Sequence, residues 1–322
     1  MNSFGNKLRI TLFGESHGPV VGVVIDGVPH GLKLAEADFA TDIERRKSGA
    51  AGTTARRESD RPELLSGLYN GFTTGAPLAI VFRNDDVRPD DYRDFAAQPR
   101  PGHADWTARV RYGGFNDPRG GGQFSGRLTL PLVAAGVVAK RVLGDEVHIA
   151  AHVAAIGDET DERRFDTCIE RAAMAGDSVG GVVRCTVEGF PAGRGEPFFD
   201  AAESVIAHIL FAIPGVRSVG FGAAEAAATM LGSEHNDAIV SPDGRTATNH
   251  AGGINGGLTN GNPLTVSIVV KPTSSTAREQ HTVNMTTGKV ESLCIGGRHD
   301  VCIALRMPVI VEAAVAIALA QL

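Results

Sequence analysis

Three short segments join titratable side chains to glycine. The first is Glu15-Ser16-His17, set between Gly14 and Gly18. Glycine on both sides lets a ligand come close to the backbone, and a histidine there can give or take a proton near neutral pH. The second is Arg100-Pro101-Gly102-His103-Ala104-Asp105, again a histidine beside glycine, with an arginine three residues ahead of it. Its polar, proline-bounded setting is one that active-site loops favour. The third is Gly296-Gly297-Arg298-His299-Asp300. Here Arg298 offers a planar fork to an anion and Asp300 offers a base. Each segment also has a plainer reading, as a turn histidine satisfying local carbonyls or an aspartate capping a helix. Spacing alone leaves both open.

Two further stretches suit anions. Gly120-Gly121-Gly122-Gln123-Phe124-Ser125-Gly126-Arg127 leads toward an apolar helical run, and a glycine-rich turn at a helix start presents free N–H groups. Lys271-Pro272-Thr273-Ser274-Ser275 follows a strand and supplies a cation with three hydroxyls. Of the 31 cationic residues 25 are arginine, a skew that suits carboxylate or phosphate ligands as well as codon bias. The common nucleotide fingerprints are missing: neither G-x-x-x-x-G-K-[ST] nor G-x-G-x-x-G after a strand occurs, and neither does H-E-x-x-H. The remaining histidines, His299 included, have no comparable setting. His148 and His152 are four apart, but their segment reads as a strand, so no metal site is expected.

Composition narrows the class. A chain of 322 residues with 43% hydrophobic and 21% charged residues can bury a large core and is not a disordered polyelectrolyte. A net charge of -6 gives no basic footprint for nucleic acid. No apolar run reaches 18 residues, so no membrane span is expected. The N-terminal residues lack a signal-peptide pattern, which makes the cytoplasm the expected compartment. Cys168, Cys185, Cys294 and Cys302 form no C-x-x-C pair and read as reduced, mostly buried thiols.

The elements that must position these residues follow from pattern. Strands are expected over 8–13, 20–25, 77–82, 147–156, 181–187 and 263–270. Helices are expected over 37–46, 128–142, 201–211 and 308–320, with polar loops over 47–61 and 84–111. Three motifs recur in order. Asp26-Gly27-Val28-Pro29-His30-Gly31 is echoed by Glu188-Gly189-Phe190-Pro191-Ala192-Gly193. Thr73-Thr74-Gly75-Ala76-Pro77-Leu78 is echoed by Thr259-Asn260-Gly261-Asn262-Pro263-Leu264. Leu128-Thr129-Leu130-Pro131-Leu132 is echoed by Leu305-Arg306-Met307-Pro308-Val309, each entering an apolar helix with proline in its first turn. The chain therefore reads as one domain, 1–322, of two related halves, about 1–145 and 146–322. Helices apolar all round must be covered on every side, and the strands do not alternate with helices as in a doubly wound sheet. The expected class is α+β, with buried helices between antiparallel sheets.

Taken together, GESHGPVVGVVIDGVPHG, RPGHAD with the later Tyr112-Gly113, NHAGGINGGLTNGNPL continuing to KPTSS, and RHDVCIALRMPVIVEAAVA resemble the ordered signatures of the chorismate synthase family. The resemblance runs from Phe13 to Ala320. It implies a β-α-β sandwich of two pseudo-repeated halves, assembled as a homotetramer. It implies the 1,4-elimination of phosphate from 5-enolpyruvylshikimate 3-phosphate, dependent on reduced FMN and without net redox change. The substrate it implies is a phosphorylated dicarboxylate, with no nucleic-acid or membrane partner. Carried over by position, His17 protonates the leaving phosphate, His103 serves the reduced flavin, and Asp300 helps the flavin accept the substrate proton. Ser16 and Ser125 support these groups. Arg46, Arg56 and Arg127 bind substrate anions, and Arg298 lies between substrate and flavin. Gln123, Phe124, Ser125, Gly256, Lys271, Pro272, Thr273, Ser274 and Ser275 fall at flavin-binding positions. A flavin oxidoreductase is the competing enzyme class; it would turn over NAD(P)H, for which no separate nicotinamide fingerprint is seen. A catalytically inactive binder would more naturally have lost His17, His103 or Asp300.

This sequence departs from the family pattern in places. Many members read Arg-Ser-Ser-Ala-Arg-Glu-Thr where this chain has Gln123-Phe124-Ser125-Gly126-Arg127-Leu128-Thr129. Ala50-Ala51-Gly52 stands where some members place an anion-binding arginine, and Pro214-Gly215 replaces an Asn-Ala pair. None of these removes a proton-transfer group; they put flavin affinity in question.

Overall fold

The β-branched runs pair into two antiparallel sheets. The computed structural model describes every residue except Ala50, Ala51, Ala55, Arg57, 87–94 and Arg298. In chain order the elements are β1 (Ser3–Phe4), β2 (Arg9–Gly14), β3 (Val20–Asp26), α1 (Ala40–Arg46), β4 (Glu63–Ser66), β5 (Leu68–Tyr69), β6 (Phe72–Thr73), β7 (Leu78–Arg83), α2 (Asp105–Tyr112) and α3 (Thr129–Leu143). There follow β8 (His148–Ile156), α4 (Phe165–Met174), β9 (Gly181–Glu188), α5 (Ala202–Ala212), β10 (Val216–Phe221), α6 (Gly232–His235), β11 (Ile254–Asn255), β12 (Leu258–Thr259), β13 (Leu264–Val270), β14 (Gln280–Val283), β15 (Val290–Leu293) and α7 (Met307–Leu319).

One sheet has the order β1-β2-β3-β7-β4 and the other β10-β13-β9-β8. Apart from β1 they match, since β2-β3-β7-β4 and β8-β9-β13-β10 trace the same path. Alternation decides which face is inside. Val21, Val23 and Ile25 on β3 are fully buried, as are Leu78, Ile80 and Phe82 on β7. On β9 the inward set is Val183, Cys185 and Val187. This is the period of two that a half-buried strand requires.

A helical layer fills the space between the sheets. α3 packs on β3 and β7, α7 on β8 and β9, and the two helices lie against each other. Residues 129–139 of α3 and 309–319 of α7 are buried, so both helices are covered on all sides. The close approach needs a glycine. A Cβ on Gly136 would sit 2.2 Å from the Cβ of Ala313, an overlap costing about 1–3 kcal/mol to accommodate. The one acid in α7, Glu312, is buried and fully engaged. It takes both Nη groups of Arg45 at 2.7 Å, Lys140 Nζ at 3.3 Å and the N–H of Ala151 at 3.0 Å.

The recurring motifs perform the same local task twice. Thr73 Oγ1 donates to Pro29 O and accepts from Leu32 N; Thr259 Oγ1 donates to Pro191 O and accepts from Arg194 N. Each threonine thereby ties the hairpin ahead of its strand to the Gly-Pro turn that follows β3 or β9. The expected mixed fold with antiparallel sheets and buried helices is the one observed.

Some elements differ from expectation. The span 84–111 read as loop, yet α2 begins at Asp105. Its polar, arginine-rich sequence buries only Ala108, so it carries no apolar stripe to detect. α4 buries three side chains, Phe165, Cys168 and Ile169, and β10 and the β14–β15 hairpin are short; none stood out in the sequence. Cys168, Cys185 and Cys302 are buried free thiols, and Cys294 is an exposed one. Burial, with Glu312 nearby, pushes the Cys185 thiol up to about 12.

Candidate active site

A cavity of about 810 Å³ is lined by residues drawn from the length of the chain, from Ser16 to Ile310. Its wall is built from the ends of several elements. The last residue of α1, Arg46, is buried, and its Nε donates to Thr129 Oγ1 at the start of α3 while Nη2 donates to Gly126 O. Arg127 is buried beside it. Its guanidinium pairs with Asp60, its Nε donates to Asn84 Oδ1 at 3.0 Å, and Nη2 reaches Arg83 O at the end of β7. Asn84 also holds the β2–β3 turn, donating to Glu15 O and Gly18 O. Arg56 donates to Ser16 Oγ at 3.0 Å and to Ser16 O at 3.1 Å, with Glu58 as its counter-ion.

The charge balance favours anions. Among the described lining residues the cations are Arg46, Lys47, Arg56, Arg100, Arg127, Lys271 and Arg306, and the acids are Glu58, Asp60 and Asp300. Burial, then Arg306 and Arg127, drive the pKa of Arg46 well below its ordinary value, although Asp60 opposes them. Crowded cations of this kind gain most when an anion enters, because they are already oriented and partly dehydrated.

His17 and His103 flank the glycine run. Gly120, Gly121 and Gly122 all have positive φ, which other residues rarely adopt. A Cβ on Gly120 would lie 2.3 Å from His17 Nδ1, and one on Gly121 would lie 3.3 Å from His103 Nε2. Glycine is therefore needed for the turn to pass between the two rings. Sequence reasoning gave this run to a helix N-terminus. It is instead separated from α3 by Gln123–Leu128, and its backbone holds the first turn, with Ser16 N donating to Gly122 O.

His17 is buried behind Ser16, and its Nδ1 lies 3.2 Å from Ser16 Oγ, an atom also held by Arg56. Burial, then Arg56 and Arg119, lower its pKa, while Asp117 and Glu58 act the other way. His103 precedes α2 and contacts Asp105 Oδ1 through Nδ1 at 2.6 Å. Burial works against the Asp105 carboxylate, but hydrogen bonds from Arg100 and His103 outweigh it and hold its pKa far below the usual range.

Asp300 accepts Thr54 N at 2.8 Å and pairs with Arg306 at 3.3 Å. His299, passed over in the sequence, lines the same cavity. Its Nε2 meets Gly296 O at 2.9 Å, and burial is the main cause of its lowered pKa. Across the cavity, Lys271 Nζ donates to Gly102 O at 2.8 Å and Ser274 Oγ donates to the same carbonyl at 2.7 Å. Ser275 Oγ accepts from Arg100. Thr273 Oγ1 is buried with no hydrogen-bond partner among the described residues.

The cavity thus gathers Ser16, Arg46, Arg56, His103, Gln123, Phe124, Ser125, Arg127, Lys271, Pro272, Thr273, Ser274, Ser275 and Asp300, with His17 directly behind Ser16. Phe124 is partly exposed there and tilts against Tyr112, with ring centroids 6.4 Å apart. Gly256 is not among the lining residues; it lies in the turn that joins β11 to β12. Arg298 lies outside the described residues. Sequence reasoning missed His299, Asp60, Arg306 and Thr54. The Arg three residues before His103 was the visible sign of the Arg100 pairing. Among the described residues no cluster of three or more His, Cys, Asp or Glu could hold a metal. No helix among them is long and apolar enough to cross a membrane.

The fold and the cavity define a class: a β-α-β sandwich with an arginine-walled site and two histidines at its glycine turn. The family model described as chorismate synthase matches residues 8–322. A chorismate synthase of Chitinophaga pinensis is 56% identical over 321 residues, covering 100% of this chain and 96% of that protein. One of Korarchaeum cryptofilum is 42% identical over 346 residues, covering 99% and 96%. A crystal structure of chorismate synthase shares the fold with a TM-score of 0.73 at 24% identity, covering 98% of this chain and 91% of that one. The chain belongs to the chorismate synthase family.

Proposed function

We propose that the protein eliminates phosphate from 5-enolpyruvylshikimate 3-phosphate to give chorismate, with reduced FMN bound beside the substrate. The observation that carries this reading is the pairing of His17 and His103 across Gly120–Gly122 on an arginine-rich cavity wall. The overall change breaks one C–O bond and one C–H bond and leaves the redox state unchanged.

Arg46, Arg56 and Arg127 meet the phosphate and the carboxylates, for which their planar forks are suited. Arg298 joins this set by its place in the family motif. His17 gives the departing phosphate its proton, with Ser16 Oγ beside it. The influences that lower the pKa of His17 make its proton easy to release. A phosphate dianion arriving against Arg56 counters them and keeps that proton in place until the C–O bond breaks.

The residues present fit FMN. Thr273 Oγ1, buried and without a partner among the described residues, leaves a polar group for a ligand, and Lys271, Ser274 and Ser275 line the same cavity. Gln123, Phe124 and Ser125 provide a mixed polar and aromatic wall in place of the arginine and serine common in the family, and Pro214-Gly215 lines the same cavity. Reduced FMN would supply, when bound, an electron-rich ring and a basic nitrogen able to take the proton lost from carbon. His103 would exchange a proton with that ring, and Asp300, steadied by Thr54 N and Arg306, would help the flavin take the proton lost from carbon. Ser125 keeps the turn before α3 in place, its Oγ accepting from Arg127 N. Gly256 stands at a flavin position of the family motif, outside the residues that line the cavity.

The same reading takes 1–322 as one unit with halves meeting near residue 145, a cytoplasmic enzyme and a homotetramer. Light scattering tests the assembly. Anaerobic assays that follow phosphate release together with chorismate absorbance test the reaction; phosphate without chorismate would exclude the lyase.

A further inference from the structure

His103 carries a consequence that depends on the neighbours of its two ring nitrogens. Its Nδ1 is 2.6 Å from Asp105 Oδ1, and Asp105 is the first residue of α2, nearly buried. The carboxylate is kept ionised by two bonds from Arg100, Nε to Oδ2 at 2.8 Å and Nη2 to Oδ1 at 2.9 Å. A third bond to Oδ2 comes from the backbone N–H of Arg100 at 3.0 Å. An ionised carboxylate only accepts hydrogen bonds. At 2.6 Å the nitrogen facing it must therefore carry the proton, which leaves Nε2 of the neutral ring as the acceptor. Nε2 lies 3.2 Å from Arg100 Nη2, which is placed to donate to it and is also 3.0 Å from Nδ1, and a side chain at Gly121 would stand 3.3 Å from Nε2. Arg100 also ties this unit to the opposite half of the chain, through Nη1 to Ser275 Oγ at 3.1 Å.

We propose that Asp105 is a positioning residue for the reaction: it fixes His103 in the Nδ1–H tautomer, so that Nε2 is the atom that exchanges a proton with the bound flavin or substrate. Arg100 keeps the Asp105 carboxylate ionised and in register with the Lys271–Ser275 segment. This inference rests on the reading of His103 given above, and it assigns that role to one ring atom. A carboxylate behind a histidine does the same in hydrolytic triads, where the matching Asp-to-Asn change leaves the geometry intact but stabilises the wrong tautomer.

The first test reads the wild-type ring and uses a variant only for assignment. Nitrogen-15 NMR of histidine-labelled full-length protein, with the His103 signals assigned by loss in H103A, reads the tautomer directly. A protonated Nδ1 and an unprotonated Nε2 are expected in the neutral ring; the reverse would overturn the proposal whether or not D105N folds. The second test is D105N. Its amide can turn an N–H toward Nδ1, so the Nε2–H tautomer should grow while the chain stays folded. Turnover should fall by about 100-fold or more, mainly in kcat with KM little changed. The double variant H103A/D105N should be no slower than H103A alone, as expected of residues that act as a unit. Full turnover in D105N with an unchanged tautomer sinks the positioning role alone. Full turnover in H103A sinks the reading of His103 on which it rests.

Discussion

Glu312→Gln removes one charge from the helical layer and leaves the shape nearly unchanged. In the wild-type protein the carboxylate receives both Nη groups of Arg45, from α1, the ammonium of Lys140, from α3, and the N–H of Ala151, from edge strand β8. A glutamine has one acceptor oxygen, so its NH₂ group must face donors on one side. Breaking a buried ion pair costs about 3–5 kcal/mol when the partner is also buried. Arg45 is 41% exposed and Lys140 29%, so both can turn toward water and the loss is smaller. About 2 kcal/mol remains, the worth of one or two hydrogen bonds to a charged group. At ~2.1 cal/mol/K per residue over this chain, the unfolding entropy is about 0.7 kcal/mol/K, so the midpoint should drop by about 3 °C. Calorimetry at neutral pH measures it, with turnover retained because Glu312 does not line the cavity. A midpoint equal to that of the wild type would refute the idea that this carboxylate fastens α7 to α1, α3 and β8.

Three other outcomes follow from the site. Gly120→Ala should fold yet lose about 100-fold in turnover, because its Cβ would collide with His17 Nδ1 and displace the ring; steady-state kinetics reads the loss. His17 must be protonated to act as an acid, and its pKa lies below the ordinary value, so kcat/KM should decline on the alkaline side at a lower pH than an ordinary histidine gives. Arg119→Ala removes one of the lowering charges and frees Asp117, so that limb should move to higher pH; a limb that stays in place would exclude His17 as its source. The third outcome concerns stability. His17 and His299 both titrate below their unfolded value of about 6.5, so the unfolded chain takes up protons first as pH falls. The stability they contribute is complete above about 6.5 and declines below it. The melting temperature should therefore decrease on going from neutral pH into the mildly acidic range, and an increase would contradict the sign.

The parts legible in the sequence are those with local causes. Proline and glycine fix the turns after β3 and β9 and the entries to α3 and α7, so the internal repeat shows as matched motifs. Residues 130–139 of α3, and α7 apart from Glu312, are apolar on every face, which marks them as buried. By contrast, α2 has almost no apolar face, and α4 relies on Phe165, Cys168 and Ile169 alone. Within the site, His17 and His103 stood out because glycines flank them. Asp60 did not. It gains its place only when the loop after α1 returns to set it between Arg46 and Arg127, a tertiary pairing with no sequence period. His299 likewise becomes a cavity residue only once the segment before α7 closes over His103 and Arg100.

The central claim is that these residues serve a flavin-dependent elimination. The most direct measurement is chorismate formation from 5-enolpyruvylshikimate 3-phosphate under anaerobic conditions, with FMN supplied either reduced by dithionite or oxidised. Turnover with reduced FMN and none with oxidised FMN is the expected result. Equal turnover with both, or flavin binding with no turnover in either state, would contradict the account.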